Sequence, residues 1–232
     1  MIKVTQIKLR LSNAYLVQGD QAILVDSGAP GEADKILQAV RDAGVAPEAL
    51  TLLVHTHVHG DHVGSTAVLQ QKLGLPTAYH PADQRLMDQG HNGRLPGVGL
   101  RGQVMSCFLS GSGFPQFGPD VALAEGVSLR PYGIDGVIWH TPGHTAGSVS
   151  LLLADGQAII GDVLMGGYLG GNLRPAKPTW HYFAESLPQV RQSLRRILAA
   201  KPHTLYVGHG GPLPVVGNPA LTAFSADGRS GI

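Results

Sequence analysis

Only one cysteine, Cys107, occurs among the 232 residues. That excludes an internal disulfide framework and any zinc site built from cysteines. Charged residues are also scarce, at 14%, against about 25% in an average domain. With a formal net charge of +1 and no basic run, the chain lacks the footprint of a nucleic-acid binder. No stretch reaches the ~20 apolar residues of a membrane helix, so no membrane partner is expected. The polar start, Met1 to Gln6, reads as a strand rather than a signal peptide, and the expected compartment is the cytoplasm. Hydrophobic residues are abundant instead, at 43%, too many for a disordered chain. Glycine is the other excess, with 32 residues, about twice the usual ~7% share, which implies many tight turns.

A chain of this length fits one domain, 1–232, able to bury roughly 70% of its unfolded surface. Strands are expected at 2–9, 14–17 and 22–25, the last two flanking the hairpin signal Gln18-Gly19-Asp20-Gln21. Ala33, Ile36, Leu37 and Val40 have helical spacing, and Gly44 ends that helix. Leu50 to Val54 is a short apolar run, as for a buried strand. A helix over 62–73 and a brief strand at 77–80 follow. Residues 88–119 carry eight glycines and three prolines with no period, and such a segment inside a compact domain reads as a lid or insertion. It is apolar as well, with Leu95, Val98, Leu100, Val104, Met105, Phe108, Leu109, Phe114 and Phe117, which suits either a pocket wall or a homodimer contact. Strands are expected again at 127–129, 137–139, 148–153, 157–160 and 204–207, a helix over 182–200, and an irregular tail from about 212. The order predicts an α+β fold with two sheets sandwiched between helices.

The chemistry is concentrated in short motifs. Leu52-Leu53-Val54 leads into His55-Thr56-His57-Val58-His59-Gly60-Asp61-His62, which places four histidines and one aspartate at the end of a buried strand. His57 and His59 are two apart, so in extended chain they share one face. Imidazole suits zinc, and a carboxylate completes such a site. Three weaker motifs follow in order. Thr141-Pro142-Gly143-His144 is a turn presenting His144, Ile159-Ile160-Gly161-Asp162 ends a strand in a carboxylate, and Tyr206-Val207-Gly208-His209 ends one in an imidazole. Each alone is a common turn; together they form a set.

That set resembles the metallo-β-lactamase-fold hydrolase superfamily over roughly 1–210. The resemblance implies a four-layer αββα sandwich of two mixed sheets flanked by helices. It also implies two divalent metal ions, zinc expected and iron or manganese as alternatives. His57, His59 and His144 would hold the first metal, Asp61, His62 and His209 the second, and Asp162 would bridge them. Val25-Asp26-Ser27-Gly28 matches the family's early Asp turn, which places Asp26 behind the ligands, or else in a turn that only holds backbone. Asp61, beside both metals, is the expected catalytic residue, orienting the nucleophile and carrying its proton.

Two metals roughly 3.5–4 Å apart can hold a bridging hydroxide at neutral pH. The expected reaction is its attack on a small acyl substrate, a thioester, lactone or ester. Alternatives are an iron-dependent persulfide dioxygenase-like enzyme and a phosphodiesterase. True β-lactamases of the fold mostly lack the aspartate matching Asp162. The run Val163-Leu164-Met165-Gly166-Gly167-Tyr168 departs from the glutathione-binding pattern of glyoxalase II. Tyr168 is a candidate for binding the substrate carbonyl, as in lactonases of the fold, or a packing residue of a Gly-rich loop. Trp180 and His181 read as structural residues or as pocket wall, His55 as facing the other side of its strand, and Cys107 as buried or incidental.

Overall fold

Residues 1–226 are described by the computed structural model. Strands β1 (Lys3–Lys8), β2 (Asn13–Gln18), β3 (Ala22–Val25), β4 (Leu50–Val54), β5 (Thr77–Tyr79) and β6 (Val121–Ala122) form a mixed sheet in that order. The later chain supplies β7 (Gly136–His140), β8 (Val149–Leu153) and β9 (Gln157–Ile159). A separate hairpin of β10 (Met165–Tyr168) and β11 (Leu173–Thr179) follows, then β12 (Thr204–Tyr206) and β13 (Leu213–Pro214). The second sheet has the order β13-β12-β9-β8-β7.

Both faces of these sheets are covered, which is why the central strands read as apolar runs rather than alternating ones. Tyr15, Val17, Leu52 and Val54 of the first sheet meet Ile138, Leu151 and Ile159 of the second in one core. The intervening Leu16, Leu24 and Leu53 point the other way, against Ile36, Leu37 and Val40 of helix α1 (Ala33–Asp42). Beyond the second sheet, Ala158, Leu205 and Val207 pack on Val190, Leu194 and Ile197. The layers are helix, sheet, sheet, helix, as expected.

Several elements differ from the sequence reading. The helix expected over 62–73 is two, α2 (Gly60–Val63) and α3 (Thr66–Leu73). The segment 88–119 is not wholly irregular: it follows on α4 (Gln84–Gln89) and contains α5 (Gly99–Leu109). Glycine serves close approach there, since a Cβ at Gly102 would lie 2.1 Å from the Tyr182 carbonyl oxygen. The side chains of Phe108 and Leu109 lie outside the described part. Residues 127–129 form no strand; Ser128 makes a single bridge to Val137. Helix α6 (Leu187–Ala199) starts five residues later than expected, at Leu187, because the backbone of 185 and 186 donates to the carbonyls of His144 and Gly143. The tail from 212 carries β13 and helix α7 (Pro219–Ala226), and residues 227–232 lie outside the described part. No helix among the described residues is long and apolar enough to cross a membrane.

Candidate metal centre

Strand β4 runs parallel to β3 and β5, and β9 runs parallel to β12. The loops that leave β4, β9 and β12 therefore meet, joined by the turn between β7 and β8. His57 and His59 follow β4, Asp61 and His62 lie on α2, His144 sits in the β7–β8 turn, Asp162 follows β9, and His209 follows β12. All seven expected residues converge. The ligand-type atoms of His57, His59 and His144 lie within 4.8 Å of one another, and so do those of Asp61, His62 and His209.

Asp162 is the hub between the trios. Its Oδ2 lies 3.8 Å from His57 Nε2, 3.6 Å from His62 Nε2, 3.4 Å from His144 Nε2 and 3.3 Å from His209 Nε2. Asp61 Oδ2 lies 3.5 Å from His209 Nε2 and 3.9 Å from His62 Nε2. His59 turns its Nδ1 inward, 3.0 Å from His144 Nε2. His57 Nε2, His62 Nε2, His209 Nε2 and Asp162 Oδ1 are buried without a hydrogen-bond partner. Buried polar atoms are normally satisfied. Four orphaned atoms of ligand type, converging from separate loops, fit metal ions.

The outward nitrogens are held from behind, as metal-ligating imidazoles usually are. His62 Nδ1 lies 2.8 Å from Asp26 Oδ2, His144 Nδ1 2.9 Å from the Phe183 carbonyl, and His209 Nδ1 2.7 Å from that of Leu11. Asp26, 1% exposed, also accepts from the Thr56 amide and hydroxyl, each at 2.8 Å. Asp26 thus ties His62 to the start of the β4 loop.

The site electrostatics follow from burial and mutual attraction. Burial would raise Asp162, but the imidazoles of His181, His209, His62 and His144 hold it well below its ordinary carboxylate value. Burial would raise Asp61 too, yet His62 and His209 hold it down, so it is ionised at neutral pH. Burial lowers His59 to about 4 and His144 to about 3. Such imidazoles are neutral and ready to coordinate.

Three site residues carried no readable motif. Asp83 is buried and clamps two loops: it accepts from the Val58 amide at 3.0 Å, the Thr145 hydroxyl at 2.8 Å and the Gly147 amide at 2.6 Å. Asn92 accepts from the Gly60 amide at 2.7 Å. His181 lines the cavity, as its pocket-wall alternative has it, and its Nε2 lies 3.2 Å from Asp162 Oδ2. Only the fold brings these partners together, so spacing along the chain could not reveal them.

The remaining candidates lie elsewhere. Tyr168 does not line the cavity that holds Asp61 and Asp162. The β10–β11 hairpin carries it to an adjoining groove, where its hydroxyl accepts from Lys177 Nζ at 2.7 Å. Cys107 is exposed rather than buried. His55 is buried beside Thr66, with its Nε2 3.1 Å from the Thr66 hydroxyl, outside the cluster. Trp180 is buried and packs on Phe224.

Two predictions arise here. A Cβ at Gly208 would lie 2.0 Å from Asp162 Oδ1 and 2.7 Å from His62 Cε1. Gly208→Ala is therefore expected to displace the hub carboxylate and weaken metal binding ~10–100-fold; competition against a chromophoric chelator measures this. Burial, the largest influence on His55, lowers its pKa from the ordinary 6.5 to about 4. The unfolded chain then binds the extra proton, so this group alone contributes a loss of about 3 kcal/mol of stability as pH drops from about 6.5 to about 4, in the same direction as His59 and His144. Urea titrations of chelator-treated protein across that window should show the loss, and His55→Gln should reduce it.

The chain belongs to the metallo-beta-lactamase superfamily, which it matches over residues 7–209. A probable metallo-hydrolase of Bacillus subtilis, YqgX, is 30% identical over 230 residues, spanning 92% of this chain and 94% of the relative. A hydroxyacylglutathione hydrolase of Xanthomonas axonopodis pv. citri is 29% identical over 192 residues, 83% of this chain but only 57% of the relative's length. Among solved structures, TTHA1623 in a di-iron-bound form is 26% identical, with a TM-score of 0.63 over 91% of this chain and 94% of that one. Family and clustered imidazoles together support a metal-dependent hydrolase.

Proposed function

We propose that the protein is a dinuclear metal-dependent hydrolase of small, uncharged acyl compounds: thioesters, lactones or esters. The observation that carries the reading is the set of orphaned atoms, His57 Nε2, His62 Nε2, His209 Nε2 and Asp162 Oδ1, beside a cavity of about 250 Å³. His57, His59 and His144 would hold one ion, Asp61, His62 and His209 the other, with Asp162 between them. When bound, such ions supply Lewis acidity and a water ionised near neutral pH.

The remaining steps fall to the chain. Asp61 lines the cavity with its side chain 25% exposed, in contrast to Asp162 at 2%. Its ionised carboxylate can accept a hydrogen bond from the attacking water and hold its proton at Oδ1, leaving Oδ2 to face His62 and His209. Leu95, Met105, Met165 and Phe183 exclude water from one side, and Asn92 and Tyr182 add polar groups. Among the described residues no lysine or arginine lines the cavity, so they offer no counter-charge to an anionic group. That favours an apolar acyl compound over glutathione thioesters, although hydroxyacylglutathione hydrolases are among the relatives. The segment 88–119 contributes Asn92, Leu95, Met105 and Ser112 to the cavity, which supports its reading as a wall.

Five imidazoles with two carboxylates suit zinc; iron is the alternative, since TTHA1623 is in di-iron form. The test is elemental analysis of untreated protein, followed by rates on thioesters, lactones, esters and phosphodiesters with and without Asp61→Ala. Two ions per chain and acyl hydrolysis lost with Asp61→Ala are expected. Metal-free protein, acyl hydrolysis indifferent to Asp61, or oxygen consumption in place of hydrolysis would overturn the reading.

A further inference from the structure

His181 lies between β11 and α6, in neither trio. Its side chain is 9% exposed, and its Nε2 is 3.2 Å from Asp162 Oδ2, closer than the other imidazoles that reach this oxygen. His144, Asp162 and His181 themselves form a group whose ligand-type atoms lie within 4.8 Å of one another. The two imidazole rings meet edge to face, with centroids 4.5 Å apart.

The far side of the ring is equally informative. His181 Nδ1 lies 3.2 Å from the Phe183 carbonyl oxygen, the acceptor that also receives His144 Nδ1 at 2.9 Å. A carbonyl oxygen has two lone pairs, so one backbone group can orient both rings. Donation from Nδ1 to a backbone carbonyl leaves the Nε2 lone pair free, which is the arrangement of a metal-ligating histidine. The Phe183 amide is also 3.2 Å from Nδ1 and serves the opposite tautomer, in which Nε2–H donates to Asp162. The ring thus has support in both forms, and a cation beside Asp162 selects the first.

Resting on the metal-centre reading above, we infer that His181 is a further metal ligand of the centre, acting through Nε2 alongside His144 and Asp162. It stands where the main cavity meets the adjoining groove, lining both together with Tyr182 and Met165. Among the described residues it is the imidazole that borders both spaces.

Cobalt(II) provides the probe. Chelator-stripped wild type, His181→Ala and His181→Gln are reloaded with cobalt(II), and the number of ions, their affinities and the visible d–d spectrum are recorded. Wild type should bind two ions. Both variants should keep one tight ion, at Asp61, His62 and His209, which also reports correct folding. The other ion should bind ~10-fold or more weakly and show an altered spectrum. Unchanged affinities and spectrum in both variants would overturn the inference, as would loss of both ions in both variants, which marks a structural role. Wild type that takes up no cobalt would instead overturn the metal-centre reading itself.

Discussion

Replacing Asp162 by alanine is expected to leave the protein with at most one metal ion and to cut acyl hydrolysis ~1000-fold or more. One oxygen of this carboxylate lies within 3.8 Å of imidazole nitrogens from the β4, β7–β8 and β12 loops and from α2. Without it, two divalent ions would face one another with no carboxylate between them. Metal assistance is worth several kcal/mol, and each ~1.4 kcal/mol is a factor of ten in rate. Asp162→Asn keeps the shape and removes the charge, so it separates packing from electrostatics; it should lose nearly as much. The checks are metal content by elemental analysis and initial rates on the best acyl substrate. A variant with two ions and full activity would remove Asp162 from the centre.

Asp26→Ala is expected to destabilise the metal-free protein by about 3–5 kcal/mol and weaken metal binding ~10–100-fold. The Asp26 carboxylate satisfies the Thr56 amide, the Thr56 hydroxyl and His62 Nδ1 at once. The Thr56 hydroxyl in turn lies 3.2 Å from His57 Nδ1, so one side chain orients imidazoles from both trios. Alanine leaves these groups buried and unpaired, at about 1–3 kcal/mol each. The backbone adds to the cost, because Asp26 has φ +61°, a region where Asp and Asn are tolerated better than alanine. Asp26→Asn should therefore lose roughly half as much. Urea unfolding of chelator-treated protein and chelator competition measure the two effects. An alanine variant of unchanged stability would mean that the turn, rather than the carboxylate, holds this corner.

The sequence by itself predicted two sheets between helices, and its motifs, read through their resemblance to the superfamily, named the seven residues that converge. Local rules supply the strand ends and turns that carry them. The His57-to-His62 cluster sits at the end of an apolar run, and a strand can only present such a cluster at its edge. Helix α1 was legible because Ile36, Leu37 and Val40 share one stripe. Helix α5 and the β10–β11 hairpin were not. Both are interrupted by glycines, whose purpose is close approach to distant backbone, and proximity of that kind leaves no period in the chain.

Only the tertiary structure decided how the site is held and what else enters it. Asp83 ties the β4 loop to the His144 turn, Phe183 orients two imidazoles through one carbonyl, and His181 reaches Asp162 from beyond a hairpin. Tyr168, close to Asp162 in sequence, is carried by the same hairpin into the neighbouring groove. The physical reason is that spacing fixes which side chains share a strand end or a helix face. Which loops then meet depends on how two sheets and their covering helices bury their apolar faces together.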